Sequence, residues 1–67
     1  MYYYVTIKRD GKVFFVVSPV YGKYELSPVK DKNTYLWSSR ITARVDKRWQ
    51  HLILPNDEIE VHHTYDC

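Results

Sequence analysis

The dipeptide Asp10-Gly11 stands between two runs, residues 2–9 (YYYVTIKR) and 12–17 (KVFFVV), both rich in Tyr, Val, Ile and Phe. Asp-Gly is a preferred pair for the two-residue type I′ turn, whose backbone twist matches that of the strands it joins. The stretch is therefore constrained to a β-hairpin, and the turn sets its register. Ile7 opposes Phe14, Val5 opposes Val16 and Tyr3 opposes Ser18 on one face. On the other, Lys8 opposes Val13, Thr6 opposes Phe15 and Tyr4 opposes Val17. The first face is the more uniformly apolar and is assigned to the core. Tyr2, Tyr4, Thr6, Val13, Phe15 and Val17 are left on the reverse, more apolar surface than a solvated face requires.

The rest of the chain is read around this hairpin. Residues 18–33 hold both Ser-Pro pairs and one of the two glycines, so they form connecting chain with a short edge strand at Lys23–Leu26. Residues 34–51 (TYLWSSRITARVDKRWQH) fit a helix capped by Asn33 or Asp31, because Trp37, Ile41, Val45 and Trp49 recur at i+4 steps with Leu52 beside them. Read as a strand instead, Ile41, Ala43 and Val45 alternate with Arg40, Thr42 and Arg44, and the fold would be a small all-β barrel. Residues 58–65 alternate cleanly: Ile59, Val61, His63 and Tyr65 on one face, Glu58, Glu60, His62 and Thr64 on the other. Hairpin, helix and strand in this order predict an α+β domain spanning 1–67, with a sheet of three or four strands and the helix on one face. A single helix covers one face only.

A domain of 67 residues has a thin core, and chains this short often rely on a disulfide, a metal or a partner subunit. The sole cysteine, Cys67, excludes an internal disulfide and suits a reducing compartment. No leader pattern and no long apolar run is present, so no membrane association is expected and a cytoplasmic location is read, the host cytoplasm for a viral chain. Net charge is +2, but all ten Lys and Arg lie between residues 8 and 48. Residues 1–52 carry ten positive and four negative charges (+6) and residues 53–67 carry four negative ones (−4), which predicts a bipolar surface.

The chemistry-bearing residues exclude more than they assign. Ser38 and Ser39 have no evident base and the thiol is terminal, so no enzyme is expected. His51, His62, His63 and Cys67 are zinc-type ligands, but His62 and His63 point to opposite faces of a strand and cannot easily share one ion; neither metal nor cofactor is expected. The placement of His63 near Glu60 in the sequence suggests a pH-sensitive contact. Arg40, Arg44, Lys47 and Arg48, with His51, fall along one side of the helical stripe and form a basic flank suited to nucleic acid, with Trp37 and Trp49 near it for stacking. The segment GKVFFVV is similar to the aromatic strand motif of RNA-recognition sheets. It lacks the small residue between the two aromatics, and the chain lacks that fold's second helix, so no family residue is carried over.

Protein binding accounts for more features together. The face bearing Tyr2, Tyr4, Phe15 and Val17 has no helix to cover it, and exposed contiguous apolar surface marks interfaces. The leading expectation is a non-enzymatic module that binds a protein and acts by occupying a surface, as an inhibitor or adaptor does. Small phage and viral proteins that modulate a host factor have this general character. The alternatives are nucleic-acid binding through Arg40, Arg44, Lys47 and Arg48, and a homodimer whose sheets pack back to back.

Overall fold

The computed structural model describes residues 1–65. Strand β1 (Tyr2–Arg9) and strand β2 (Lys12–Val20) form the hairpin, followed by β3 (Lys23–Ser27), helix α1 (Arg40–Val45), helix α2 (Lys47–Gln50) and β4 (Glu58–Thr64). The four strands make one antiparallel sheet in the order β3-β2-β1-β4, with the helical region packed on one face. The α+β expectation is met. No helix among the described residues is long and apolar enough to cross a membrane.

Asp10 and Gly11 both take positive φ (52° and 78°), as a type I′ turn demands. The predicted pairs Thr6–Phe15, Ile7–Phe14 and Lys8–Val13 are present. Beyond Thr6–Phe15 the two strands part. The chain at 33–37 takes up the hydrogen-bonding groups this exposes: Tyr3 and Trp37 exchange both backbone bonds at 2.8 Å, Tyr35 N–H donates to Val16 and Ser18 N–H to Asn33. An irregularity in β2 between Val17 and Val20 accompanies the parting, and it contains Pro19, which has no N–H to give.

This wedge corrects the reading of residues 34–51. A helix beginning there would leave Tyr3 and Val16 without these partners, so residues 34–37 are extended and the helix starts later. Ser39, not Asn33 or Asp31, is its N-cap. The helical region is also broken at Asp46, whose extended backbone (ψ 113°) ends α1 and whose carboxylate caps α2. The supposed stripe therefore does not exist as one surface. Trp37 and Trp49 are buried, whereas Ile41 is 74% and Val45 58% exposed; Ala43 is the helical residue that enters the core from α1.

The core comprises Val5, Ile7, Val16, Tyr24, Trp37, Ala43 and Trp49, edged by Tyr3, Leu26, Leu52, Ile53, Ile59 and Val61. Part of the aromatic load is explained here. Tyr24, Tyr35, Trp37 and Trp49 form a ladder of edge-to-face contacts with ring centroids 5.2, 4.6 and 6.4 Å apart. Each such contact contributes roughly 0.5–1.5 kcal/mol beyond its buried area. The two indole N–H groups are satisfied: Trp37 donates to Asp46 Oδ2 at 2.9 Å, and Trp49 to the Ala43 carbonyl at 2.9 Å. The Gln50 amide reaches the Arg44 carbonyl, so α2 supplies donors for carbonyls that α1 leaves unpaired at its end.

Candidate functional site

The outer face of the sheet carries no helix. Its centre is a contiguous aromatic group: Tyr4 lies 6.0 Å from Phe15 and stacks on His62 at 5.0 Å, centroid to centroid. His62 Nε2 is 2.8 Å from the Thr6 hydroxyl and 3.5 Å from Glu60 Oε2. The alternation of β4 puts Glu60 and His62 on the same face, so the histidine beside Glu60 is His62 and not His63. His63 is exposed on the opposite side, its ring 6.2 Å from that of Tyr65. Tyr2 (36% exposed) and Val13 (46%) extend the apolar surface at either end, and Tyr4 and Phe15 are half-buried. A shallow groove of about 240 Å³ adjoins them, lined by Thr6, Lys8, Val13, Glu58 and Glu60.

One residue expected on this open face is not available there. Val17 is only 6% exposed, because the chain returning from β3 crosses that end: Thr34 bridges to Val17 and is itself buried, and the Lys30 ammonium lies 4.9 Å from the centre of the Tyr4 ring. The exposed outer face is thus shorter than the hairpin pattern suggests. Nothing local in the hairpin signals this covering, which depends on where residues 28–34 run.

The basic residues Arg40, Arg44, Lys47 and Arg48 do not form one flank. Arg40 Nη1 donates to the Val61 carbonyl at 3.0 Å and its guanidinium lies 5.2 Å from the Tyr3 ring centre, while Arg44 Nη1 reaches the Ile59 carbonyl at 3.4 Å. Both are drawn to the free edge of β4. Arg48 is held elsewhere, forked onto Asp46 with its shortest contact at 2.6 Å and lying over the rings of Tyr24 and Tyr35. Its guanidinium, chiefly, holds the Asp46 carboxyl well below the ordinary carboxylate range, with the Trp37 indole N–H adding to the effect and burial opposing it. Lys47 is exposed.

The charge halves of the chain also meet in space. Arg9 grips Asp57 through Nε and Nη2 at 2.9 and 2.7 Å, and it donates a third bond to the Leu52 carbonyl. This guanidinium, followed by the Leu54 N–H, lowers the Asp57 pKa to about 2. Lys8 and Glu58 are direct cross-strand partners. Part of the bipolarity seen along the chain is thus paired internally, through Arg9 and Asp57, with β4 placed beside β1.

No group of three metal-ligating side chains converges among the described residues; Cys67 lies outside them. Comparison with known protein families, with curated proteins and with solved structures gives no match.

Proposed function

We propose that this is a non-enzymatic binding module whose outer sheet face, Tyr2, Tyr4, Val13 and Phe15 with His62 at its centre, takes a protein partner. The observation that carries the reading is the continuity of that face: aromatic rings in mutual contact, apolar ends at Tyr2 and Val13, and no helix over them. Tyrosine suits such a surface because it offers a large rigid contact area with a polar tip. Mixed charge at the rim, with Lys8 opposite Glu58 across the strands and Glu60 beside His62, favours a protein over a polyanion. The mode of action is occupation of a partner's surface, as by an inhibitor or adaptor of the kind small phage and viral proteins supply.

Nucleic acid is the weaker reading, since the basic residues are divided: Arg40 and Arg44 lie along the β4 edge while Arg48 is held away from them on Asp46, so they form no single phosphate-binding flank. Co-purification of the tagged chain from its native host, with and without nuclease, separates the two. A protein that stays bound after nuclease treatment is the expected result. Loss of all bound material on nuclease treatment would transfer the function to nucleic acid.

A further inference from the structure

Strand β4 is an edge: among the described residues no strand lies beyond it. Its seven residues pair with β1 along their whole length, so Ile59, Val61 and His63 direct their N–H and C=O groups away from the sheet whenever the adjacent residues direct theirs toward β1. Two of these outward carbonyls are held, and the groups holding them are side chains from α1: Arg40 on Val61 and Arg44 on Ile59. Both arginines are exposed. An open strand edge is a template for another strand, and covering it with charged side chains is a usual way to blunt it.

We infer that the β4 edge is a docking rail for an extended, acidic segment of a partner protein, with Arg40 and Arg44 as its latch. In the free chain each guanidinium substitutes for a missing strand by donating to an edge carbonyl. When a strand adds, its own N–H groups take over the carbonyls of Ile59 and Val61, and the two guanidiniums turn to side chains on the helix-facing side of the new strand. Carboxylates there would form charge-assisted, two-pronged bonds.

The charges select the occupant. Helix α1 packs on the core side of the sheet, so Arg40 and Arg44 approach the edge from the side that bears Ile59, Val61 and His63. The other side of β4 bears Glu58 and Glu60. An added strand is therefore matched when its acidic residues face the helix, and it is repelled when a slip of one residue turns them toward Glu58 and Glu60. A second copy of this chain fits poorly. Antiparallel pairing of two β4 strands about Val61 would put Ile59, Val61 and His63 of each copy on the helix side and bring together Arg40 and Arg44 of both, with no carboxylate of the described residues of β4 on that side. The same arginines thus guard the edge against self-pairing and favour an acidic strand.

The test uses capped peptides of alternating Glu and Val, the matching Lys and Val peptide, and a single-stranded oligonucleotide, each titrated into the full chain labelled with nitrogen-15. The acidic peptide should shift and protect from exchange the amides of Ile59, Val61 and His63 in a manner that depends on Arg40 and Arg44, whereas any binding of the basic peptide, whose lysines can face only Glu58 and Glu60, should not depend on the two arginines. Replacing both arginines with glutamine (Arg40→Gln with Arg44→Gln) should weaken that binding about tenfold or more. The variant's amide spectrum must stay dispersed; if it unfolds, the Arg40→Lys, Arg44→Lys pair takes its place, retaining charge but not the fork, and should weaken binding to a lesser degree. Absence of acidic-peptide binding, binding unchanged by the arginine variants, shifts confined to α1, or tighter binding of the oligonucleotide would each overturn the inference, as would wild-type self-pairing through β4.

Discussion

The two faces of the sheet are built from the same residue types and behave differently. On the inner face Val5, Ile7 and Val16 are completely buried beneath Trp37, Ala43 and Trp49. On the outer face Tyr4 contacts Phe15 and His62 while Tyr2 and Val13 are exposed, and the returning chain shelters one end only, at Val17 and Thr34. The inner face is apolar because the fold needs it. The outer face is apolar beyond that need, and this excess is the physical ground for assigning it a binding role. Aromatic content alone does not separate the two, since Tyr24 and Tyr35 belong to the internal ladder while Tyr2 does not.

The comparison can be broken most forcefully from the inside. Truncating a buried tryptophan costs about 3–5 kcal/mol, and a domain this small has a total stability of similar size. Trp49→Ala, which also removes the indole bond to Ala43, should therefore leave the chain unfolded at room temperature. A dispersed amide spectrum and a cooperative thermal transition for that variant would show that the ladder is not what holds the fold.

Acid acts next. The folded-state pKa values of Asp46 and Asp57 are lowered, so their contribution to stability is complete above the unfolded carboxylate value near ~4 and is lost as pH falls through the folded values, about 2 for Asp57. The thermal midpoint should fall between these limits, and Asp46→Asn with Asp57→Asn should flatten that fall while lowering the midpoint at neutral pH. A wild-type midpoint indifferent to acid would mean that neither clamp, Arg9–Asp57 nor Arg48–Asp46, contributes.

A small effect sharpens the account of the helix. Ile41 and Val45 sit on the solvent side of α1, so Ile41→Ser with Val45→Ser should shift stability by only about 0.5 kcal/mol per site in urea unfolding. A loss of several kcal/mol would restore the continuous Trp37–Ile41–Val45–Trp49 stripe.

These outcomes bear on what was legible in advance. The hairpin was, because turn chemistry and period-two alternation are local: Asp10-Gly11 sets the Ile7–Phe14 register with no help from the rest of the chain. The segment 34–51 was not, because its i+4 spacing coincides with a helical template while its two tryptophans reach the core from different elements. Trp37 arrives on an extended bridge to Tyr3 and Trp49 on α2, an arrangement that exists only once β1 and β2 part. A signal was present in Ser39 and in Asp46 followed by Lys47 and Arg48, which read as two N-caps. The aromatic outer face was legible from alternation, but its covered end was not. The division of the basic residues became visible only with the sheet order that puts the carbonyls of Ile59 and Val61 at an edge beneath α1.

The most direct test of the central claim joins stability and binding in one variant. Tyr2→Ala with Val13→Ser alters the two exposed ends of the outer face without touching the core. Its unfolding midpoint should match the wild type to within about 0.5 kcal/mol, while the nuclease-resistant partner captured by the wild type is lost. Capture at the wild-type level, or a variant destabilised as a core truncation would be, would contradict the claim that the outer face is built for a partner and not for the fold.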